Sequence, residues 1–153
     1  MKVKIICKEE NYDKFRNIFE DNGFIISDIA DYYFIEVDFQ RKQIIGCDFK
    51  GNRIYANLNE ICLVQANTYK NKVLLKNGSE LFVNENLNFF EADIYSEIFI
   101  RANKSQVVNI SEIRKISPQI NSRVKLTLKN NEIVYITRTY VSKFKESIDR
   151  RRK

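Results

Sequence analysis

The 153 residues are 44% apolar and carry 26 Lys and Arg against 20 Asp and Glu, with 4 Gly, 1 Pro, 3 Cys and no His. Such a chain can fold as one domain, or one domain with a small partner, and disorder is not expected. Without histidine it lacks the commonest proton shuttle and metal ligand, and four glycines cannot build a glycine-rich phosphate cradle, so neither enzyme, metal site nor cofactor is expected.

Cys7, Cys47 and Cys62 are too scattered for zinc spacing or a disulfide framework, so buried, reduced thiols are expected. No apolar run is long enough for a signal peptide or a membrane span, and a cytoplasmic location without membrane insertion follows as the expectation.

In chain order, Val3, Ile5 and Cys7 alternate as in a strand, and Tyr12, Phe15, Ile18 and Phe19 recur at helical spacing. Gly23 stands where a helix would close in a left-handed residue. Short strands are expected at 24–27 and 33–37. This β-α-β-β segment, residues 1–42, is too small to bury much surface alone. It is expected to pack on the rest of the chain or on a second copy. The polar stretch 38–42 is the expected boundary with a second unit, 43–153.

Beyond that boundary the helical period gives way to short β-branched and aromatic runs at 44–49, 54–57, 62–66, 72–76, 79–83, 98–102, 124–128 and 133–137. Hairpins are expected at Asn77-Gly78, where both turn residues tolerate positive φ, and at Lys50-Gly51-Asn52 and Asn130-Asn131. Val124, Leu126 and Leu128 alternate with Lys125, Thr127 and Lys129, which predicts a sheet with one wet, basic face. Helices are expected at 85–94 and 140–149. The second unit is thus mostly β.

Charge is distributed unevenly. Residues 101–153 hold fourteen basic and four acidic side chains, a balance of +10, while residues 1–100 carry −4. A basic half of this kind is the footprint of a polyanion-binding surface, or else a solvated basic face.

Within the basic half, a strand ending at Arg101 meets the polar run Asn103-Lys104-Ser105, then Val107-Val108-Asn109 and one helical turn before Ile113-Arg114-Lys115-Ile116. Amide, cation and hydroxyl side by side suit contact with base edges and phosphates, although such a trio is also a common solvated turn.

This order resembles the signature of the LytTR family of bacterial DNA-binding domains: Phe-x-Arg, a polar triplet ending in Ser, two apolar residues, Asn, then Ile-x-x-Ile. The resemblance continues through the 123–136 hairpin into Thr137-Arg138-Thr139-Tyr140, and backwards to Glu60-Ile61 entering a strand, covering about residues 43–149. Departures are Leu63-Val64-Gln65 for an aromatic-Ile-Glu strand end, Thr137 for serine, and Asn103 where histidine is frequent, so the base sequence read is expected to differ from that of relatives.

The resemblance implies about ten short strands in small stacked antiparallel sheets with short helices, and a non-enzymatic transcriptional regulator that reads DNA with loops. Carried over, the loops fall at 69–72, 103–105 and 137–139. Base contacts are then expected from Asn71, Asn103, Lys104 and Arg138. Phosphate contacts are expected from Lys70, Lys72, Arg101, Ser105, Tyr135, Thr137, Thr139 and Lys143. The bland alternatives are that Arg101 pairs with Glu80 or Glu97 and that Tyr135 is a half-buried strand residue. The expected partner is double-stranded DNA with two similar half-sites, bound by a homodimer at least on DNA, with a regulatory protein partner through residues 1–42. About 42 residues before the match are too few for a phosphoacceptor receiver.

Other readings are a β-rich protein-interaction or anionic-surface-binding module attached by the 150–153 RRRK tail, and single-stranded nucleic-acid binding through the 11 Phe and 8 Tyr. A small hydrolase using Asp28, Asp31, Glu36 and Asp38 is disfavoured by the lack of histidine.

Overall fold

Val3, Ile5 and Ile6 are all buried in the first strand, β1 (Lys2–Ile6), so both of its faces are covered. The computed structural model describes residues 1–36 and 42–151; all but the last residue of the expected boundary at 38–42, and the last two residues of the RRRK tail, lie outside them. Helix α1 (Glu9–Asp21) covers one face through Phe15 and Phe19, whose rings stand 4.8 and 5.2 Å from that of Phe34.

The helix ends as its sequence predicts. Gly23, at φ +84°, donates to the Glu20 carbonyl, and Phe24 N–H reaches back to Phe19 O while the two rings meet edge to face. The strands β2 (Ile25–Ile26) and β3 (Tyr32–Ile35) flank β1 in the order β2-β1-β3, all parallel. The parallel pairing is not visible in alternation alone.

The opposite face of this small sheet packs on the rest of the chain. Ile6, Tyr33 and Ile35 enter one core with Phe89, Phe90, Tyr95 and the inner face of a seven-stranded sheet. That sheet comprises β4 (Gln43–Cys47), β5 (Arg53–Asn57), β6 (Ile61–Gln65), β7 (Asn71–Leu75), β8 (Glu80–Val83), β9 (Phe99–Asn103) and β10 (Gln106–Asn109), in the antiparallel order β5-β4-β8-β7-β6-β10-β9. The other face of its β6-β10-β9 end meets a second core. There β11 (Ile113–Pro118), β12 (Val124–Leu128), β13 (Ile133–Ile136) and helix α3 (Arg138–Arg151) close over Cys62, Leu63, Ile100 and Val108. Ten short antiparallel strands in two stacked sheets therefore follow residue 42, the mostly β architecture that was expected.

The three expected hairpins form, with Gly51 at φ +82°, Gly78 at φ +88° and Asn131 at φ +69° in the turns. Gly46 has a different reason to be glycine: a Cβ there would lie 3.0 Å from Leu81 Cβ and 3.1 Å from the Phe82 carbonyl, where β4 crosses close to β8.

Several elements depart from the sequence reading. The helix expected at 85–94 is α2 (Leu87–Glu91), capped by Asn86, followed by a 3-10 turn at Asp93–Tyr95. Extended backbone at Ala92, φ −54° and ψ 142°, breaks it. Strand β11 escaped alternation because a bulge between Ile113 and Lys115 shifts its register on β12, leaving apolar residues three apart. Strand β9 runs on to Asn103, and α3 starts at Arg138 rather than Tyr140. Of the thiols only Cys62 is buried; Cys7 and Cys47 are partly exposed.

Cys62 lies beneath Glu112, whose Oε2 is 3.7 Å from its Sγ while Oε1 pairs with Lys76 at 3.3 Å. Burial, followed by the Glu112 charge, pushes the thiol up from 9.0 to about 11. The folded state thus favours the neutral thiol, an advantage present below pH 9 and lost as pH rises to 11. Urea unfolding at stepped pH is expected to show wild type losing on the order of 2–3 kcal/mol more than Cys62→Ala across that window. Parallel curves for the two proteins would refute the assignment.

Candidate nucleic-acid interface

Three loops are stitched together at one end of the sheets. Pairing of β6 with β10 sets Gln65 opposite Gln106, and Ala66 N–H donates to Ser105 O at 2.7 Å, which brings the 66–70 loop beside the β9–β10 turn. Thr137 N–H donates to Ala102 O at 3.1 Å, which brings the start of α3 to the same turn. Backbone hydrogen bonds between loops distant in sequence thus create the surface.

Between the second and third loops runs a groove of about 580 Å³, lined by Asn103, Lys104, Ser105, Gln106, Arg123, Ile133, Tyr135, Thr137, Arg138, Thr139 and Tyr140. It gathers seven of the twelve residues singled out in sequence. Its ionisable lining includes three cations, Lys104, Arg123 and Arg138, and no carboxylate. The first turn of α3 adds no acid, so no carboxylate offsets the positive dipole end of the helix that begins at Arg138.

The members of the groove differ in what they are free to do. Lys104 and Arg138 are exposed, with no hydrogen bond or ion pair from either side chain among the described residues. Asn103 is committed: Nδ2 donates to Tyr135 O and Gln106 Oε1, both at 2.9 Å, and Oδ1 accepts from Ser105 N–H and Oγ. It shapes the turn and ties it to β13. Tyr135 is 41% exposed, and Arg123 stacks on its ring with the guanidinium carbon 5.2 Å from the centroid. Arg123 was missed in sequence; its position one residue before inward Val124, on the basic face, was the available signal.

Five residues lie elsewhere or are otherwise engaged. Asn71 donates to Glu85 O at 2.9 Å and accepts from Asn67 N–H, so it holds the first loop rather than projecting from it. Tyr69, 94% exposed, is what projects. Lys70 lines a separate cleft with Lys4, Arg53 and Tyr55, and Lys72 pairs with Glu80 at 3.6 Å. Lys143 lines a different pocket, shared with Glu91, Asp93, Arg101 and Glu146.

Arg101 departs most from expectation. Its guanidinium is turned inward onto Glu91 at 2.6 Å, neither Glu80 nor Glu97, and its side chain is 13% exposed. An arginine already neutralised at contact distance is poorly placed to hold a phosphate.

Comparison with known proteins identifies the family. Residues 51–149 match the family model described as the LytTr DNA-binding domain. A 62-residue stretch, 40% of this chain, is 32% identical to the sensory transduction protein LytT of Enterococcus faecalis (strain ATCC 700802 / V583) and covers 26% of that protein's length. Among solved structures, the LytTr DNA-binding domain of a methyl-accepting/DNA response regulator from Bacillus cereus has the same fold. Its TM-score is 0.65 at 23% identity, covering 71% of this chain and 98% of that one. With well over half of its residues inside the family model and its ten-stranded unit in the family's fold, the chain belongs to the LytTr DNA-binding domain family.

Proposed function

We propose that this protein is a sequence-specific transcriptional regulator whose loops enter successive major grooves of duplex DNA. The observation that carries the reading is the groove between the β9–β10 turn and α3, with three cations and no acid. A cationic concavity without carboxylates suits a polyanion, and the exposed Arg138 fork and Lys104 ammonium suit base edges. Ser105, Thr137, Thr139 and Arg123 surround them with donors for phosphates, the Tyr135 hydroxyl extends that set, and Lys70 is offered outside the groove by the neighbouring 66–70 loop. Arg101, Asn71, Asn103, Lys72 and Lys143 are left out of the contact set, because each is paired, committed within a loop or remote from the groove.

Two copies bind two similar half-sites on one face of the duplex, in this reading, and the N-terminal segment 1–42, which shares its core with the rest of the chain, mediates self-association or receives a regulatory protein. Exposed Ile25, Ile29 and Tyr32 on that unit, 57%, 63% and 56% accessible, support an additional contact there.

Selection of bound fragments from the source genome, followed by footprinting, tests the proposal. A recurring pair of half-sites is expected, with affinity falling steeply in salt by about 0.9 log unit per log unit for each phosphate neutralised. Absence of any preferred fragment at physiological salt would sink sequence-specific recognition. Binding to anionic vesicles without duplex preference would favour a surface-binding module instead.

A further inference from the structure

We propose that Arg101, held by Glu91, is a positioning residue that sets the shape of the Lys104-Ser105 turn and touches no phosphate. The inference rests on the DNA-binding reading for its purpose, but the clamp itself is visible in the protein alone. Nε donates to Asn103 O at 2.5 Å, Nη2 to Lys104 O at 2.5 Å, and Nη1 to Glu91 Oε2 at 2.6 Å. The guanidinium carbon sits 5.7 Å from the centre of the Tyr140 ring. One planar fork therefore joins the last residue of α2 to two consecutive carbonyls of the turn that carries Lys104. A lysine, with a single ammonium, cannot span those three acceptors in one plane.

The clamp is useful because its far end is fixed. Asn86 caps α2 by accepting from Phe89 N–H at 3.1 Å, its own N–H donates to the Tyr33 hydroxyl at 2.9 Å, and its Nδ2 donates to Ala30 O at 2.8 Å. Phe89 and Phe90 are wholly buried. Glu91 thus projects from a helix anchored on both the core and the N-terminal sheet. On the other side of the turn, Asn103 holds Tyr135 O. Loss of Glu91 should therefore loosen the turn without detaching it.

Electrostatics and positioning make opposite predictions for one conservative change. Glu91→Gln removes a negative charge near a DNA surface and frees a cation, so a phosphate-contacting Arg101 requires tighter binding. A positioning Arg101 requires weaker binding to the preferred duplex, because the turn loses its preset shape.

The first measurement uses free protein. Amide hydrogen exchange at Ser105 and Ala66 is expected to be about tenfold faster in Glu91→Gln and in Arg101→Lys than in wild type, with core amides of β12 unchanged. Unchanged exchange at those two amides overturns the clamp, whatever the protein binds.

The second is salt titration on the selected duplex. Both variants are expected to lose about tenfold in affinity with the wild-type salt slope, and the double variant to be no weaker than either single one. Tighter binding by Glu91→Gln, or a slope about one unit shallower in Arg101→Gln, would return Arg101 to the phosphate contacts. Should wild type show no preferred duplex, the functional proposal fails while the exchange result still decides the clamp.

Discussion

Phe89→Ala is expected to lower the free energy of unfolding by about 3–5 kcal/mol, the largest stability loss foreseen for any single replacement in this chain. The ring is 0% exposed and meets three others, Phe90 at 5.0 Å, Tyr95 at 5.2 Å and Tyr33 at 5.5 Å. Tilted and edge-to-face aromatic contacts of this sort add to the area they bury. Truncation leaves a cavity among residues that come from the N-terminal sheet, α2 and the turn after it, elements that cannot all move inward together. Urea unfolding followed by circular dichroism and by tyrosine fluorescence, available because the chain has eight Tyr and no Trp, measures the loss. A change below about 1 kcal/mol would show that the site relaxes and that Phe89 does not join the N-terminal sheet to the core.

That junction matters for how residues 1–42 can be studied. Ile6, Tyr33 and Ile35 are packed against the main core, so deleting the segment strips apolar cover from the seven-stranded sheet. Polar replacements at exposed Ile25, Ile29 or Tyr32 probe self-association without that cost.

The parts of the fold legible in sequence are those specified by local physics. Positive-φ residues at Gly23, Gly51, Gly78 and Asn131 marked turns that are present. The alternation through Val124, Leu126 and Leu128 marked a strand whose inward residues are 6%, 0% and 0% exposed. What local pattern could not convey was anything decided between distant segments. A bulge in β11 disguised a strand as Ile-x-x-Ile. Crossover through α1 made the first sheet parallel.

The candidate site divides the same way. Motif order located the turn at 103–105 and the start of α3, and these line one groove. It could not tell a free side chain from a committed one. No motif shows that Arg101 is held by Glu91, ten residues upstream, or that both ends of the Asn103 amide are engaged. Arg123 went unremarked because its neighbour Tyr135 is on another strand.

Among the groove residues Arg138 carries the largest expected effect on recognition. It stands at the first position of α3, exposed, between Thr137 and Thr139, where its planar fork can take O6 and N7 of one guanine while neighbouring donors hold the backbone. Arg138→Ala is expected to cost about 1–3 kcal/mol on the preferred duplex and to relax base choice at one position. Arg123→Ala, which removes a cation stacked beside the groove, is expected to weaken all duplexes alike and to reduce the salt slope by about one unit. Lys143→Ala serves as the outside reference. Its ammonium shares a pocket with Glu91, Asp93 and Glu146 rather than the groove, and affinity should stay within about a factor of two of wild type, given screening over a Debye length of about 8 Å. Titrating the three variants against the preferred site and every single-base change in it separates the roles. A uniform loss for Arg138→Ala, with base preferences intact, would make Arg138 a phosphate anchor and leave Lys104 as the remaining candidate for base recognition in the groove.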